Sequence, residues 1–166
     1  MVEFAPEAML QALERHRVRY VVIGGMGAVL HGSPLRTRDA DVCPAPDDEN
    51  LESLALALNE LQARIRAAGE PEGVPFACDA PFLRQMRMLN LTTRFGDLDL
   101  AFEPAGTGGY ADLASRAVNY DLGDGLIVPV AALEDIIRSK EAANREKDHQ
   151  SLPTLRLLLA QRNARG

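Results

Sequence analysis

The chain has 166 residues, a net charge of −6, and 46% hydrophobic against 25% charged residues, the balance of a folded globular protein rather than a disordered or fibrous one. That length can bury a core without disulfides or structural metal. Its acidic balance argues against a generic binder of long nucleic acid, which must neutralise phosphates. No apolar run approaches the roughly 18 residues a membrane span needs, and the first residues lack the pattern of a secretory signal. A single cytoplasmic domain over residues 1–166, with no membrane partner, is the expectation. Cys43 and Cys78 are too few and too far apart for usual zinc spacing and are expected to be reduced, with Cys43 in the core.

In chain order, Glu7 to His16 reads as a helix with the stripe Met9, Leu10 and Leu13, followed by a strand from Arg19 to Ile23. A short helix follows over Gly25 to His31, then a strand from Asp39 to Cys43 closed by Pro44 and Pro46. Leu51, Leu54, Leu58, Leu61 and Ile65 predict one long helix, capped by Asp47 or Asp48 and running to about Ala67. Gly69 to Pro81 reads as a loop. Met88 to Thr93 and Asp97 to Phe102 alternate as the strands of a hairpin. Pro104 to Gly109 is a further loop and Tyr110 to Ser115 a short helix. Short strands are expected at Ala117 to Tyr120 and Leu126 to Val128, with closing helices from Val130 to about Glu146 and from Ser151 to Arg162. The fold class is therefore α/β (α+β), a mixed sheet with helices packed on it.

The chemistry concentrates between Gly24 and Val42. Gly24-Gly25 follows the apolar run Tyr20-Val21-Val22-Ile23 and precedes a helix, where backbone amides can approach a phosphate. Asp39 and Asp41 sit two apart on a strand, so both project from one face while Ala40 and Val42 take the other. Paired carboxylates repel each other and invite a divalent cation. A cation beside a phosphate cradle is equipment for phosphoryl transfer. A second pair, Asp97 and Asp99, shares one face of the later strand.

The closing helices carry a compositional oddity. Of 18 basic residues only Lys140 and Lys147 are lysine, and they fall within eight positions of each other. On a continuous helix, Lys140, Asn144 and Lys147 would share a face. Glu134–Arg138 and Glu141–Arg145 have the spacing of helical ion pairs, which leaves both lysines without an acidic partner and free for an anion. The histidines His16, His31 and His149 show no metal-ligand spacing, and no Ser-His-Asp or Cys-His set supports covalent hydrolysis.

These motifs together resemble the nucleotidyltransferase superfamily that includes DNA polymerase β. Gly-Gly is followed by Asp-x-Asp, and Gly32-Ser33-Pro34-Leu35-Arg36-Thr37-Arg38-Asp39-Ala40-Asp41-Val42 is close to small bacterial members, the AbiEii-like and MenT-like toxins. Ser139 to Asp148 is similar to the Lys-x-x-Ala-x-Arg-x-Lys-Asp stretch of those proteins, so the resemblance spans Tyr20 to Leu155. It implies catalytic and metal-holding roles for Asp39, Asp41 and a third carboxylate. The Gly-x-x-Asp-Leu pattern selects Asp99 for that third place and keeps Asp97 as the alternative. It implies nucleotide binding by Gly24, Gly25, Lys140 and Lys147. Met26 stands where other branches carry a hydroxyl, which Ser33 could supply from further along. Arg36, where the usual arginine is displaced by Leu35, either touches phosphate or neutralises the carboxylates. The implied cofactor is Mg²⁺, two ions, with a nucleoside triphosphate as substrate. The implied acceptor is a hydroxyl, such as the 3′ end of a transfer RNA, in a toxin of a toxin–antitoxin pair. The same fold also modifies proteins and aminoglycosides, and an antitoxin of this type would modify its cognate toxin. The alternative is a catalytically inactive module or antitoxin acting through protein contacts, which the presence of all three carboxylates disfavours.

Overall fold

The computed structural model describes residues 2–166. Its elements are α1 (Pro6–Arg15), β1 (Tyr20–Val22), α2 (Gly24–Leu30), β2 (Asp39–Pro44), α3 (Asp48–Glu60), β3 (Arg64–Ala67), β4 (Glu70–Val74), α4 (Ala80–Arg84), β5 (Met88–Thr93), β6 (Gly96–Ala101), α5 (Tyr110–Ala114), β7 (Val118–Asp121), β8 (Ile127–Val130), α6 (Leu133–Ala143) and α7 (Glu146–Arg165). The strands form one mixed sheet in the order β4-β3-β5-β6-β2-β1-β8-β7. β2 runs parallel to β6 and β1 parallel to β8, while the other neighbours are antiparallel.

Strand alternation divides the sheet into two unlike faces. On one, Ala40, Val42, Leu89, Leu91, Leu98 and Leu100 join Met9, Leu10 and Leu13 of α1 and Leu51, Leu54 and Leu58 of α3 in the larger core. The other face is apolar where β1 and β2 carry Val21 and Cys43, which pack with Leu133, Ile136 and Ile137 of α6 and Leu152 and Leu155 of α7. Around Asp39 and Asp41 and across β6, β5 and β3 that second face is mostly polar, with Met88 and Ala101 at one end of it. Burial pushes the Cys43 thiol up to about 12, which fits the core position expected of it.

The long helix expected to reach Ala67 stops seven residues earlier, at Glu60. Asp47 caps it by accepting from the Asn50 amide at 3.2 Å, and Gln62, with φ +55°, turns the chain out of it. Ile65, spaced to continue the leucine stripe, instead pairs with Leu91 and Val74. Arg64-Ile65-Arg66-Ala67 alternates as well as it spirals, and four residues cannot separate the two periods. Part of the expected Gly69–Pro81 loop, Glu70–Val74, is likewise β4, followed by the short helix α4.

At the C-terminal end, helix α6 begins at Leu133 rather than Val130, because Val130 belongs to β8. It ends at Asn144, whose φ of +54° is left-handed. Helix α7 then starts at Glu146, five residues before the expected Ser151, and continues through Pro153.

Candidate active site

The parallel pairing of β2 with β6 brings the four aspartates together. Asp39 lies level with Asp97 and Asp41 with Asp99 on the polar face of the sheet. Asp39, Asp41 and Asp99 each offer an oxygen within 4.8 Å of the others. Three half-buried carboxylates so close carry the donor set and charge that a hard divalent cation requires. Asp97 pairs with Arg66 and keeps a side chain 39% exposed against 17% for Asp99; Asp99 lines the neighbouring cavity and Asp97 does not. The geometry thus groups Asp99, not Asp97, with the first pair.

The glycine pair serves the carboxylates as well as the helix that follows. Gly24 has φ +63°, and a Cβ there would sit 2.6 Å from Asp41 Oδ2. At Gly25 a Cβ would come within 3.2 Å of Thr37 Oγ1. The backbone of Ile23 donates to the Asp41 carbonyl at 2.9 Å, so the start of α2 is drawn tight over β2. Thr37 orders the approach to β2, its hydroxyl donating to the Asp39 carbonyl at 2.9 Å.

Electrostatics in the cluster are strained. Burial, then the charges of Asp39 and Asp99, push the Asp41 carboxyl up to about 8, with Lys147 and Lys140 opposing. Burial and a hydrogen bond shared with Asp39 raise Asp99 to about 6, with Arg66 pulling the other way. Repelling carboxylates thus hold protons where a cation would relieve them.

Lys140 and Lys147 both reach this place, but not from one helix. The break at Asn144 puts Lys140 on α6 and Lys147 on α7. Nor is Lys140 without an acidic partner: its Nζ lies 3.6 Å from Oδ1 of the fully buried Asp148. Arg145 donates to Asp148 Oδ2 through its backbone N at 3.1 Å and Nε at 2.8 Å. Burial alone would raise the Asp148 carboxyl, but these bonds and the Lys140 charge hold it below its ordinary value. The expected helical ion pairs also change partners. Arg138 pairs with Asp112 and Asp135, and Glu141 with Arg156.

Two cavities meet at the cluster. One, of about 410 Å³, lies between the polar face of the sheet and α6 and includes Asp99, Arg66, Asn90, Met88 and Ser139. The other, of about 350 Å³, lies towards the loop before β2 and includes Ser33, Arg36, Thr37, Arg38 and Gln150. Gly25, Asp39, Asp41, Lys140 and Lys147 line both. Ser33 and Arg36 therefore border the carboxylates only on the second side. Ser33 is buried and accepts from the Leu35 amide at 3.2 Å.

His31 lies outside both cavities. Its Nε2 faces the Ala131 carbonyl at 2.7 Å, and its Nδ1 receives the Tyr120 hydroxyl at 2.8 Å and Arg162 NH2 at 3.1 Å. Burial lowers its pKa, so it acts as a neutral buried connector between the loop after α2 and the last turn of α7.

Arg66 is the site residue that sequence reasoning missed. It donates to Asp99 Oδ1 at 2.6 Å and approaches Asp97 Oδ2 at 3.2 Å. Placed on an expected helix, it had no route to the carboxylates. The signal that could have found it is the polar–apolar alternation of residues 64–67.

No family model and no curated protein matches the chain. Solved structures do. The chain is similar to the lincosamide antibiotic adenylyltransferase LnuA, crystallised with lincomycin bound, at TM-score 0.61 and 19% identity over 95% of this chain and 99% of that one. A Thermotoga maritima protein provisionally assigned as a nucleotidyltransferase matches at TM-score 0.53 and 17% identity, covering 96% of this chain and 97% of that one. The antibiotic-resistance factor ANT(2″)-Ia, in its solution structure, matches at TM-score 0.55 and 15% identity, over 95% of this chain and 82% of that one. At such identities the likeness speaks for architecture. With its mixed sheet and the helices packed on it, the chain has the nucleotidyltransferase fold of these structures.

Proposed function

We propose that this chain is a Mg²⁺-dependent nucleotidyltransferase that moves a nucleoside monophosphate from a nucleoside triphosphate to an acceptor hydroxyl. The observation that carries it is the convergence of Asp39, Asp41 and Asp99 from two parallel strands at the meeting point of two cavities. Asp39 and Asp41, with Asp99, would hold Mg²⁺, in a two-ion arrangement. Bound there, Mg²⁺ supplies charge neutralisation for the triphosphate and the departing pyrophosphate. The chain's own residues do the rest. Gly24 and Gly25 keep side chains away from the phosphates, and Lys140 and Lys147 meet their charge. Asp99 takes the proton of the acceptor hydroxyl, whose oxygen bonds to the α-phosphorus as the bond to the β-phosphate oxygen breaks. Ser33 and Arg36 contribute from the second cavity.

A small hydroxylated acceptor fits the two cavities and the charge of −6. It also agrees with the likeness to an enzyme crystallised with lincomycin and to ANT(2″)-Ia, whose crystal complex holds adenylyl-2″-tobramycin. A second reading, the 3′ end of an RNA in a toxin–antitoxin setting, rests on the motif resemblance and on Arg36 and Arg38, which line the second cavity.

The test incubates the protein and an Asp39→Ala/Asp41→Ala variant with Mg²⁺ and each α-labelled nucleoside triphosphate. The acceptors offered are aminoglycosides and lincosamides, total RNA, or lysate protein. Label on a small molecule, by the wild type alone, supports the first reading, and label on RNA the second. Label on protein would point to a partner toxin as the acceptor. No transfer and no Mg²⁺-dependent nucleotide binding would leave an inactive module acting through protein contacts.

A further inference from the structure

β3 turns Ile65 to the core and so turns Arg64 and Arg66 to the polar face. On that face β5 places Asn90 opposite Asp99 and Thr92 opposite Asp97. The Arg66 side chain crosses β5 and bridges both aspartates of β6, with NH2 2.6 Å from Asp99 Oδ1 and NH1 3.2 Å from Asp97 Oδ2. NH1 also donates to the Leu91 carbonyl at 3.1 Å, which anchors the guanidinium to the sheet. A rigid fork held at three points fixes a carboxylate's orientation in a way a lysine could not. It takes up Oδ1 of an aspartate that also offers a carboxylate oxygen within 4.8 Å of Asp39 and Asp41.

We propose that Arg66 is a resident counter-ion and positioning residue for the third carboxylate. It holds Asp99 at the edge of the cation site while withholding part of its charge. The nucleotide-free protein then binds a divalent cation chiefly through Asp39 and Asp41, and Asp99 engages fully only when phosphate oxygens join. This rests on the reading of Asp39, Asp41 and Asp99 as a cation site. A fixed positive charge beside that site opposes a second cation, so Arg66 weakens divalent binding in the absence of nucleotide. A residue that merely held the sheet together would, on removal, weaken binding or leave it unchanged.

The experiment titrates Mn²⁺ into the nucleotide-free, full-length protein and follows free Mn²⁺ by electron paramagnetic resonance. Wild type is compared with Arg66→Gln, Arg66→Lys and Asp41→Asn, and melting is recorded in EDTA and in Mn²⁺. Arg66→Gln is expected to bind Mn²⁺ on the order of tenfold more tightly than wild type, from a unit charge removed several ångströms from a divalent ion at the effective dielectric of a half-exposed site. Arg66→Lys, which keeps the charge, should stay within about threefold of wild type. Melting of Arg66→Gln should fall in EDTA and recover in Mn²⁺ by more than that of wild type. Equal or weaker Mn²⁺ binding by Arg66→Gln, with binding abolished in Asp41→Asn, overturns the role of Arg66 and leaves the cation site standing. A gain in Arg66→Lys as large as in Arg66→Gln also overturns it, by assigning the effect to packing. Mn²⁺ binding unaffected by Asp41→Asn, or absent from wild type and Arg66→Gln alike, overturns the cation site and the inference together. An Arg66→Gln protein that folds only with Mn²⁺ supports the proposal, and one that Mn²⁺ cannot rescue overturns it.

Discussion

Asp41→Asn should make the metal-free protein more stable and at the same time inactive. The native Asp41 carboxyl titrates at about 8 against a reference of 3.8, so between those values the folded protein binds a proton that the unfolded chain has released. Stability therefore falls as pH rises through that window. At pH 7 the accumulated cost is on the order of 4 kcal/mol, from roughly three pH units at about 1.4 kcal/mol each. Asparagine keeps the shape and carries no charge, so it escapes the cost. For a chain of this size the gain corresponds to a melting temperature higher by about 10 °C. The assay is thermal melting in EDTA from pH 4 to 9. The two proteins should nearly coincide at pH 4 and diverge steadily to about pH 8. Mg²⁺ should then close the gap by stabilising wild type alone. An Asp41→Asn protein that melts at or below wild type across the whole range would refute both the burial of charge at Asp41 and its strain.

Three further outcomes follow from the same geometry. Gly24→Ala places a Cβ 2.6 Å from Asp41 Oδ2 at a left-handed φ; it should cost about 1–3 kcal/mol in denaturant unfolding and remove transfer activity. Lys140→Ala should raise the KM for the triphosphate by about tenfold or more, the worth of a charge-assisted bond. Its stability should barely move, because Arg145 keeps Asp148 paired, and unfolding curves beside steady-state kinetics separate the two effects. Asn144→Gly should be tolerated, whereas Asn144→Val should lose about 1–2 kcal/mol, because a β-branched residue resists the left-handed conformation that ends α6.

The sequence made some parts of this site readable and hid others, for reasons that can be named. Asp39, Asp41 and Asp99 were readable because strand alternation is a local rule, and a two-residue spacing fixes a shared face whatever the strand's neighbours. The parallel pairing that sets Asp41 level with Asp99 joins segments some sixty residues apart, and no local pattern states it. Arg66 was hidden by an ambiguity of period. Ile65 continues the leucine stripe of α3 at helical spacing, and only Gln62 at φ +55° breaks the helix before it. The partner of Lys140 was hidden by the reverse error, since a helix drawn straight through Asn144 separates Lys140 from Asp148 by two turns. Ser33 and Arg36 line the cavity on the β2-loop side of Asp39 and Asp41, a placement that depends on the loop path and that no local pattern states.

The tether between Arg162 and His31 gives the far end of α7 a mechanical connection to the strand that carries Asp39 and Asp41. At about 1.5 Å per residue, a helix of 20 residues is a rod of about 30 Å. One end carries Lys147 beside the carboxylates. Near the other, Arg162 grips the ring and the carbonyl of His31, at 3.1 and 3.3 Å, six residues before Thr37 begins to shape the entry to β2. The stretch that contains Arg162 is thus not an inert place to fuse a tag or trim a chain. A change that pulls Arg162 away unlatches the rod from the loop feeding Asp39, and its effect would be felt at the carboxylate cluster rather than where the cut was made.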